Sequence, residues 1–456
     1  MSVREITVDT FKDKIFLKKS AMIALPVAMQ GLLNSTINLV DNLMIGSLGE
    51  TNIAAVGLAN KVFVVFSLLV FGVCSGSAVL ASQFWGNNDW KGVRKTLGLA
   101  LIIVLLGCLF FVIPGVTNPE LVMSIFTPSK DTISAGAKYL KIAVFTYPLI
   151  GISNSFAAIL RSANRVKAPV IVSVFTIIIN VCLNYILIFG AFGAPELGVA
   201  GAAIATLVAR TFEVITLITI VYVGKSPVAV KGKDILGIDM VFFKLFFKTC
   251  LPIIINEFMW GLGTTIYSLA YGRMGDQAVA SITIATTITD MLIVFFQGTS
   301  NASAIILGNE LGANRLNVAE DYGKKFICLQ FVLSIIVGIL LVSLRWKFIS
   351  LFQVTPEVAR NISLCCIVFA LYMPMKMYNY INIVGILRSG GDSNYCLFLD
   401  CFGVWVIGIP CAFLGGLVLK LPIYLVFAMV LSEEIFKAIF GFIRYRKKKW
   451  LRNLVV

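Results

Sequence analysis

Apolar residues run along this chain in long blocks broken by turn residues and charge, without the alternating pattern of half-buried strands. The blocks predict helices at roughly 18–45, 53–83, 94–117, 135–160, 166–190 and 199–222, then at 246–271, 278–308, 319–343, 362–388, 394–418 and 421–443. Each is long enough to cross a bilayer at ~1.5 Å per residue, and there are about twelve. The basic segment from Lys225 to Asp239, with Pro227 and Gly232, is the one candidate linker. Residues 1–224 are therefore read as an N-lobe, 225–245 as a cytoplasmic linker and 246–456 as a C-lobe.

The two halves repeat. Leu25 to Gly49 returns as Leu251 to Gly275, with Pro26, Gly46 and Gly49 answered 226 residues later by Pro252, Gly272 and Gly275. The same offset relates Gly72 to Gly298, Ser77 and Ala78 to Ser303 and Ala304, and Gly86 to Gly312. Ile159-Leu160-Arg161-Ser162 matches Ile386-Leu387-Arg388-Ser389 at 227. Six spans per copy leave both copies in one orientation, so their pseudo-twofold axis is expected along the membrane normal, with a cavity where the halves meet. Pro26 and Pro252 are the expected points of helix bending.

Composition agrees with a polytopic membrane protein: of 456 residues, 59% are hydrophobic and 13% charged. The net charge of +15 would suit a nucleic-acid binder, but most Lys and Arg fall in alternate loops and at the two ends of the chain. That is the positive-inside pattern: it puts both termini in the cytoplasm, allows contact with anionic lipid and argues against nucleic acid. No cleaved signal peptide is expected, because Lys18 and Lys19 precede a span longer than a signal core. The ten cysteines lack CxxC spacing and read as small apolar residues. With no histidine in the chain, neither a metal site nor a cofactor is expected.

Several stretches carry a family resemblance: DNLMIGSLGETNIAAVGL after the first helix, SQFWGNNDW and GNELGANRL after the second helix of each half, ILRSANR and ILRSGGDS ending the fourth, NVCLNYILIFG in the fifth and GVAGAAIAT in the sixth. In this order and spacing the chain resembles the multidrug and toxic compound extrusion (MATE) family over nearly its whole length. The resemblance implies an all-α membrane protein of two six-helix lobes around a central cavity. It also implies export of organic, often cationic compounds in exchange for Na⁺ or H⁺.

Polar groups inside the apolar blocks are the candidate machinery, because an ionised side chain at mid-bilayer costs about 2.5–3.5 kcal/mol on insertion scales. Asp41, Asn184 and Thr206 all fall roughly 7–11 Å below the extracellular edge, and Asn180 shares a helix face with Asn184 at i, i+4. One carboxylate among neutral oxygens suits a monovalent cation, or a proton, and in the resemblance these positions match the N-lobe cation site. Arg210 with Glu213, and Glu433 with Lys437, read as self-neutralising pairs within one helix.

In the C-lobe, Glu257, Asp290, Asp392 and Asp400 are joined by Lys376 near the middle of helix ten. Glu257 and Asp392 match acidic positions used for coupling in some family members. Lys376 is expected to pair with Glu257, Asp290 or Asp400. Asn34, Tyr147, Trp260, Tyr267, Gln297, Tyr372 and Met375 are the candidates to line a substrate cavity, by stacking and soft packing around flat cations. The expected partners are small organic substrates and membrane lipid, the expected state is a monomer in the cell membrane, and the coupling ion is Na⁺ or H⁺. The alternative is a flippase for a lipid-linked precursor, which should show a larger basic cavity. No enzyme motif pairs a nucleophile with a base.

Overall fold

The structure is a computed structural model that describes residues 3–46 and 50–455, so Gly49 of the repeat lies outside the described residues. Every regular element among the described residues is a helix. In chain order they are α1 (Val3–Lys12), α2 (Lys14–Gly46), α3 (Glu50–Gly86), α4 (Trp90–Thr117), α5 (Pro119–Ser124), α6 (Lys130–Ala143), α7 (Thr146–Ser162), α8 (Lys167–Phe189) and α9 (Gly198–Tyr222). The second half continues with α10 (Gly232–Leu236), α11 (Met240–Gly272), α12 (Asp276–Gly312), α13 (Leu316–Ile349), α14 (Pro356–Tyr380), α15 (Ser393–Cys401), α16 (Ile409–Phe413), α17 (Ile423–Leu431) and α18 (Glu433–Arg446). Wider π-helical turns at Ile381–Leu387 and Phe402–Gly408 continue α14 and α15. Among the described residues nine helices are long and apolar enough to cross a membrane, and α6 with α7, bent by 45°, makes a tenth.

Local chemistry sets the breaks. Asp89 accepts the Gly92 amide at 3.0 Å and starts α4. Thr355 followed by Pro356 starts α14. In GNND and GANR, Asn88 and Asn314 occupy equivalent places and both turn the chain at φ 58°, a left-handed conformation that asparagine tolerates. Those motif residues are therefore turn residues.

The described chain forms two compact units, one of residues 1–28, 86–88 and 255–456, the other of 29–85 and 89–254. The units differ from the sequence halves because α2 and α11 are each divided, just after Pro26 and just after Pro252. Each proline removes one backbone donor and leaves a carbonyl four residues earlier without its helical partner. Glycines explain which packing the N-terminal half of each of these helices takes. On α3, Gly72 and Gly76 lie one turn apart, and a Cβ at either would sit 2.7 Å from the Cα of Ile254 or 2.8 Å from that of Cys250. Gly298 on α12, the counterpart of Gly72, would meet the Ala24 carbonyl at 2.5 Å. Small residues at i, i+4 let helix backbones approach closely where lipid supplies no hydrophobic drive for association. Gly298→Leu should therefore abolish folded expression, whereas Gly272→Ala, with nothing within 4 Å, should be silent. Fluorescence-detected size exclusion reads both, and a monodisperse Gly298→Leu protein would contradict the close contact.

In the first of these units the N-terminal segment is clasped to α13. Lys325 reaches Asp13 at 2.8 Å, Asp321 at 2.9 Å and Asp9 at 3.1 Å. Phe16 packs edge-on against Phe326 with centroids 4.9 Å apart. Lys19 and Arg315 share Glu310, at 2.9 and 2.5 Å. The hydrogen bond from Lys325, helped by the Phe16 amide, holds the Asp13 carboxyl below the ordinary aspartate value. A depressed folded pKa stabilises docking above the ordinary value, and that contribution disappears as pH falls through the lower, folded value. Protection factors across Thr10 to Phe16, which remove the intrinsic pH dependence of amide exchange, should be high at neutral pH and fall in acid once Asp13 is protonated. Lys325→Ala should lower them at neutral pH. Equal protection factors in all three conditions would show that the clasp contributes nothing.

Candidate functional site

In the second unit, three helices bring the expected oxygen-bearing side chains together. Asn184 on α8 donates its Nδ2 to Asp41 Oδ1 on α2 at 2.5 Å and also reaches Asn180 Oδ1 at 3.3 Å. Asn180 donates in turn to Thr206 Oγ1 on α9 at 3.2 Å, and Thr206 donates to the Ala202 carbonyl. Asn180 and Asn184 are buried, while Asp41 and Thr206 are partly exposed. One turn away along each helix stand Ile45, Ile188 and Ala202, which pack together with Val56, Val199, Met44 and Tyr139 as an apolar cluster. Arg210 and Tyr139 lie within electrostatic reach of Asp41, and Arg210 is held by Glu213 at 2.7 Å.

Asn184 donates to the carboxylate, as an ionised acceptor requires, whereas the Asn180 amide donates away from it, through Thr206 to the Ala202 carbonyl. Among the described residues, Asn184 Oδ1 is buried without a hydrogen-bond partner. An unpaired buried oxygen beside a carboxylate, a second amide oxygen and a hydroxyl is the donor set of a hard monovalent cation. The same carboxylate can take a proton instead.

The C-terminal half arranges its charges differently from the expectation. Lys376 Nζ pairs with Glu434 Oε1 at 3.0 Å, not with Glu257, Asp290 or Asp400. The reason is packing: α14 lies against α18, so Lys376 and Asn379, at i, i+3, both face Glu434, and Asn379 donates to its Oε2 at 2.9 Å. The other carboxylates are already engaged. Glu257 is held by Arg388 at 2.9 Å, and both side chains are buried. Asp392 takes two bonds from Arg444, at 2.5 and 2.7 Å. Asp400 accepts from Asn256 at 2.9 Å and faces Lys437 at 3.6 Å. Asp290 is exposed and in electrostatic reach of Lys376, without an ion pair among the described residues. Glu433 pairs with Lys437 at 3.2 Å, the pairing expected from their spacing.

The cavity candidates separate by exposure. Trp260, Gln297 and Met375 are exposed and Tyr372 is half-buried. Tyr147 is buried, stacked on Phe66 with centroids 4.8 Å apart, and Tyr267 is buried with its hydroxyl on Glu433 at 2.8 Å. The Asn34 side chain lies outside the described residues.

The sequence matches the MatE family over residues 26–186 and again over 252–414. The chain belongs to the MatE family. Among its relatives are an uncharacterized transporter of Bacillus subtilis, YisQ, 23% identical over 94% of both chains, and a probable multidrug resistance protein NorM of Thermotoga maritima, 24% identical over 96% of this chain and 94% of that one. Solved structures share the fold. A transporter of the MOP superfamily from Pyrococcus furiosus superposes with a TM-score of 0.85 at 18% identity, covering 95% of each chain. A MATE protein in its bent conformation superposes with 0.87 at 18%, covering 98% of this chain and 97% of that one.

This MatE protein is thus a multi-pass membrane transporter and not an enzyme. Glu434 and Tyr139 are the site residues that the sequence reading missed. Glu434 had a signal, being a second carboxylate beside Glu433 within an apolar block. Tyr139 had none, because one tyrosine in an apolar helix is indistinguishable from packing.

Proposed function

We propose that this protein is a secondary active antiporter that exports organic, cationic compounds in exchange for Na⁺ or H⁺ by alternating access. The observation that carries the reading is the Asp41 cluster with its unpartnered Asn184 oxygen. Asp41 holds the coupling ion, and Asn180, Asn184 and Thr206 supply neutral ligands. Filling the site neutralises the one carboxylate there, and emptying it restores the charge. That difference in charge is what can bias two conformations of the surrounding helices. Family membership and the multidrug resistance relatives support drug-like substrates. Trp260, Gln297, Tyr372 and Met375, with Asn34, are the proposed substrate contacts.

Helices α11 and α17–α18 complete twelve spans in two six-helix lobes, residues 1–224 and 246–456, joined by a cytoplasmic linker at 225–245. The protein works as a monomer in the cell membrane with both termini in the cytoplasm. Proteoliposomes loaded with a fluorescent organic cation test the whole reading. An imposed Na⁺ or pH gradient, applied separately, should drive efflux, and the gradient that works names the ion. Efflux that ignores both gradients would refute antiport.

A further inference from the structure

We propose that the C-terminal half holds one exchangeable proton, shared by Glu433 and Asp400 across Lys437. Lys437 Nζ stands 3.2 Å from Glu433 Oε1 and 3.6 Å from Asp400 Oδ1. The neighbouring ammonium, Lys376, is committed to Glu434 at 3.0 Å. Three carboxylates thus face two ammonium groups in a cluster where Glu433, Glu434 and Lys437 are each no more than 5% exposed. The thiols of Cys396 and Cys401 lie in electrostatic reach of Asp400, and Cys401 also of Lys437. Tyr267 donates to Glu433 at 2.8 Å, and Tyr271 lies in its electrostatic reach. Glu257 and Arg388 neutralise one another at 2.9 Å, and Asp290, beyond Lys376, only adds negative charge. One carboxylate is therefore in excess. A buried carboxylate without a counter-charge is costly, and taking up a proton removes the charge.

One buried amide fits that state. Asn256 donates to Asp400 at 2.9 Å, while its Oδ1 has no hydrogen-bond partner among the described residues. An amide carries both a donor and an acceptor, so by turning over Asn256 can accept from a protonated Asp400 as readily as it donates to the ionised one. The packing favours a proton over a metal cation. A Cβ at Gly403 would lie 2.5 Å from Lys437 Cε, and one at Gly408 would lie 2.8 Å from Glu433 Oε2. Backbone this close leaves no shell for an alkali ion beside two ammonium groups. Release breaks one O–H bond, leaves the electron pair on the carboxylate and passes the proton to water.

In sequence, this cluster answers to the first one. Tyr267 is the counterpart of Asp41 at an offset of 226, and Glu433 that of Thr206 at 227. Each half therefore sets one acid and one hydroxyl at these two positions, with the acid on opposite members. Because Glu433 and Asp400 face one ammonium, the proton belongs to the pair.

Infrared difference spectroscopy of the full-length protein in lipid nanodiscs, between acidic and alkaline pH, reads the proton directly. The wild type should show the carbonyl stretch of a buried carboxylic acid, and Asp41→Asn should retain it. Glu433→Gln and Asp400→Asn should each abolish it, since either leaves two carboxylates facing two ammonium groups. For the same reason neither should lower the melting temperature. The proposal is overturned if the wild type lacks the band, if the band survives both substitutions, or if Na⁺ removes it at constant pH. Because Asp41→Asn is read separately, this result is independent of whether Asp41 couples transport.

Discussion

Asp41→Asn should leave the protein folded in the membrane and reduce gradient-driven efflux to the rate of protein-free vesicles. The amide has nearly the shape of the carboxylate, and the partner on α8, Asn184, can turn its own amide to present an acceptor, so the packing around α2 is kept. What is lost is the single charge that an incoming cation or proton would neutralise. The melting temperature should be unchanged or slightly raised, because a desolvated charge has been removed. Asn180→Ala and Thr206→Ala should be milder, raising the ion concentration needed for half-maximal efflux while leaving the maximal rate near normal. Normal efflux by Asp41→Asn at equal membrane expression would sink the assignment of Asp41. Normal efflux combined with loss in Asn180→Ala would move the ion site deeper along α8.

Lys376→Ala should be strongly destabilising, because it strands Glu434, which is 4% exposed, without its ammonium. Removing one partner of a buried pair typically costs about 3–5 kcal/mol, and the lower end applies here because the lysine side chain is itself 30% exposed. Adding Glu434→Gln should recover most of the loss, since the substituted amide still accepts from Asn379 and carries no charge. Adding Glu257→Gln should not help, because that carboxylate answers to Arg388. The measurement is a double-mutant cycle on thermal unfolding in detergent. If Lys376→Ala with Glu434→Gln melts as low as Lys376→Ala alone, Glu434 is not the partner that matters. Rescue by Asp290→Asn instead would mean that Asp290, in electrostatic reach of Lys376, is the carboxylate the lysine neutralises.

The helical membrane class and the family were legible in the sequence, as was the common level on their helices at which Asp41, Asn180, Asn184 and Thr206 meet. Those follow from one-dimensional quantities: block length, offset, and residues counted from a turn. The sequence also determined the Glu433–Lys437 and Arg210–Glu213 pairs, whose partners lie one helical turn apart and need no tertiary information. The partner of Lys376 followed from packing in three dimensions. Depth left Glu257, Asp290 and Asp400 as equal choices, and a fourth carboxylate, Glu434, took the lysine because α18 lies against the face of α14 that also carries Asn379. The structure likewise decided that the N-terminal halves of α2 and α11 each pack away from the rest of their own sequence half, at Gly298 and at Gly72 and Gly76. A glycine in an apolar helix says that something comes close, but which helix does so depends on the azimuth of neighbours hundreds of residues away in sequence.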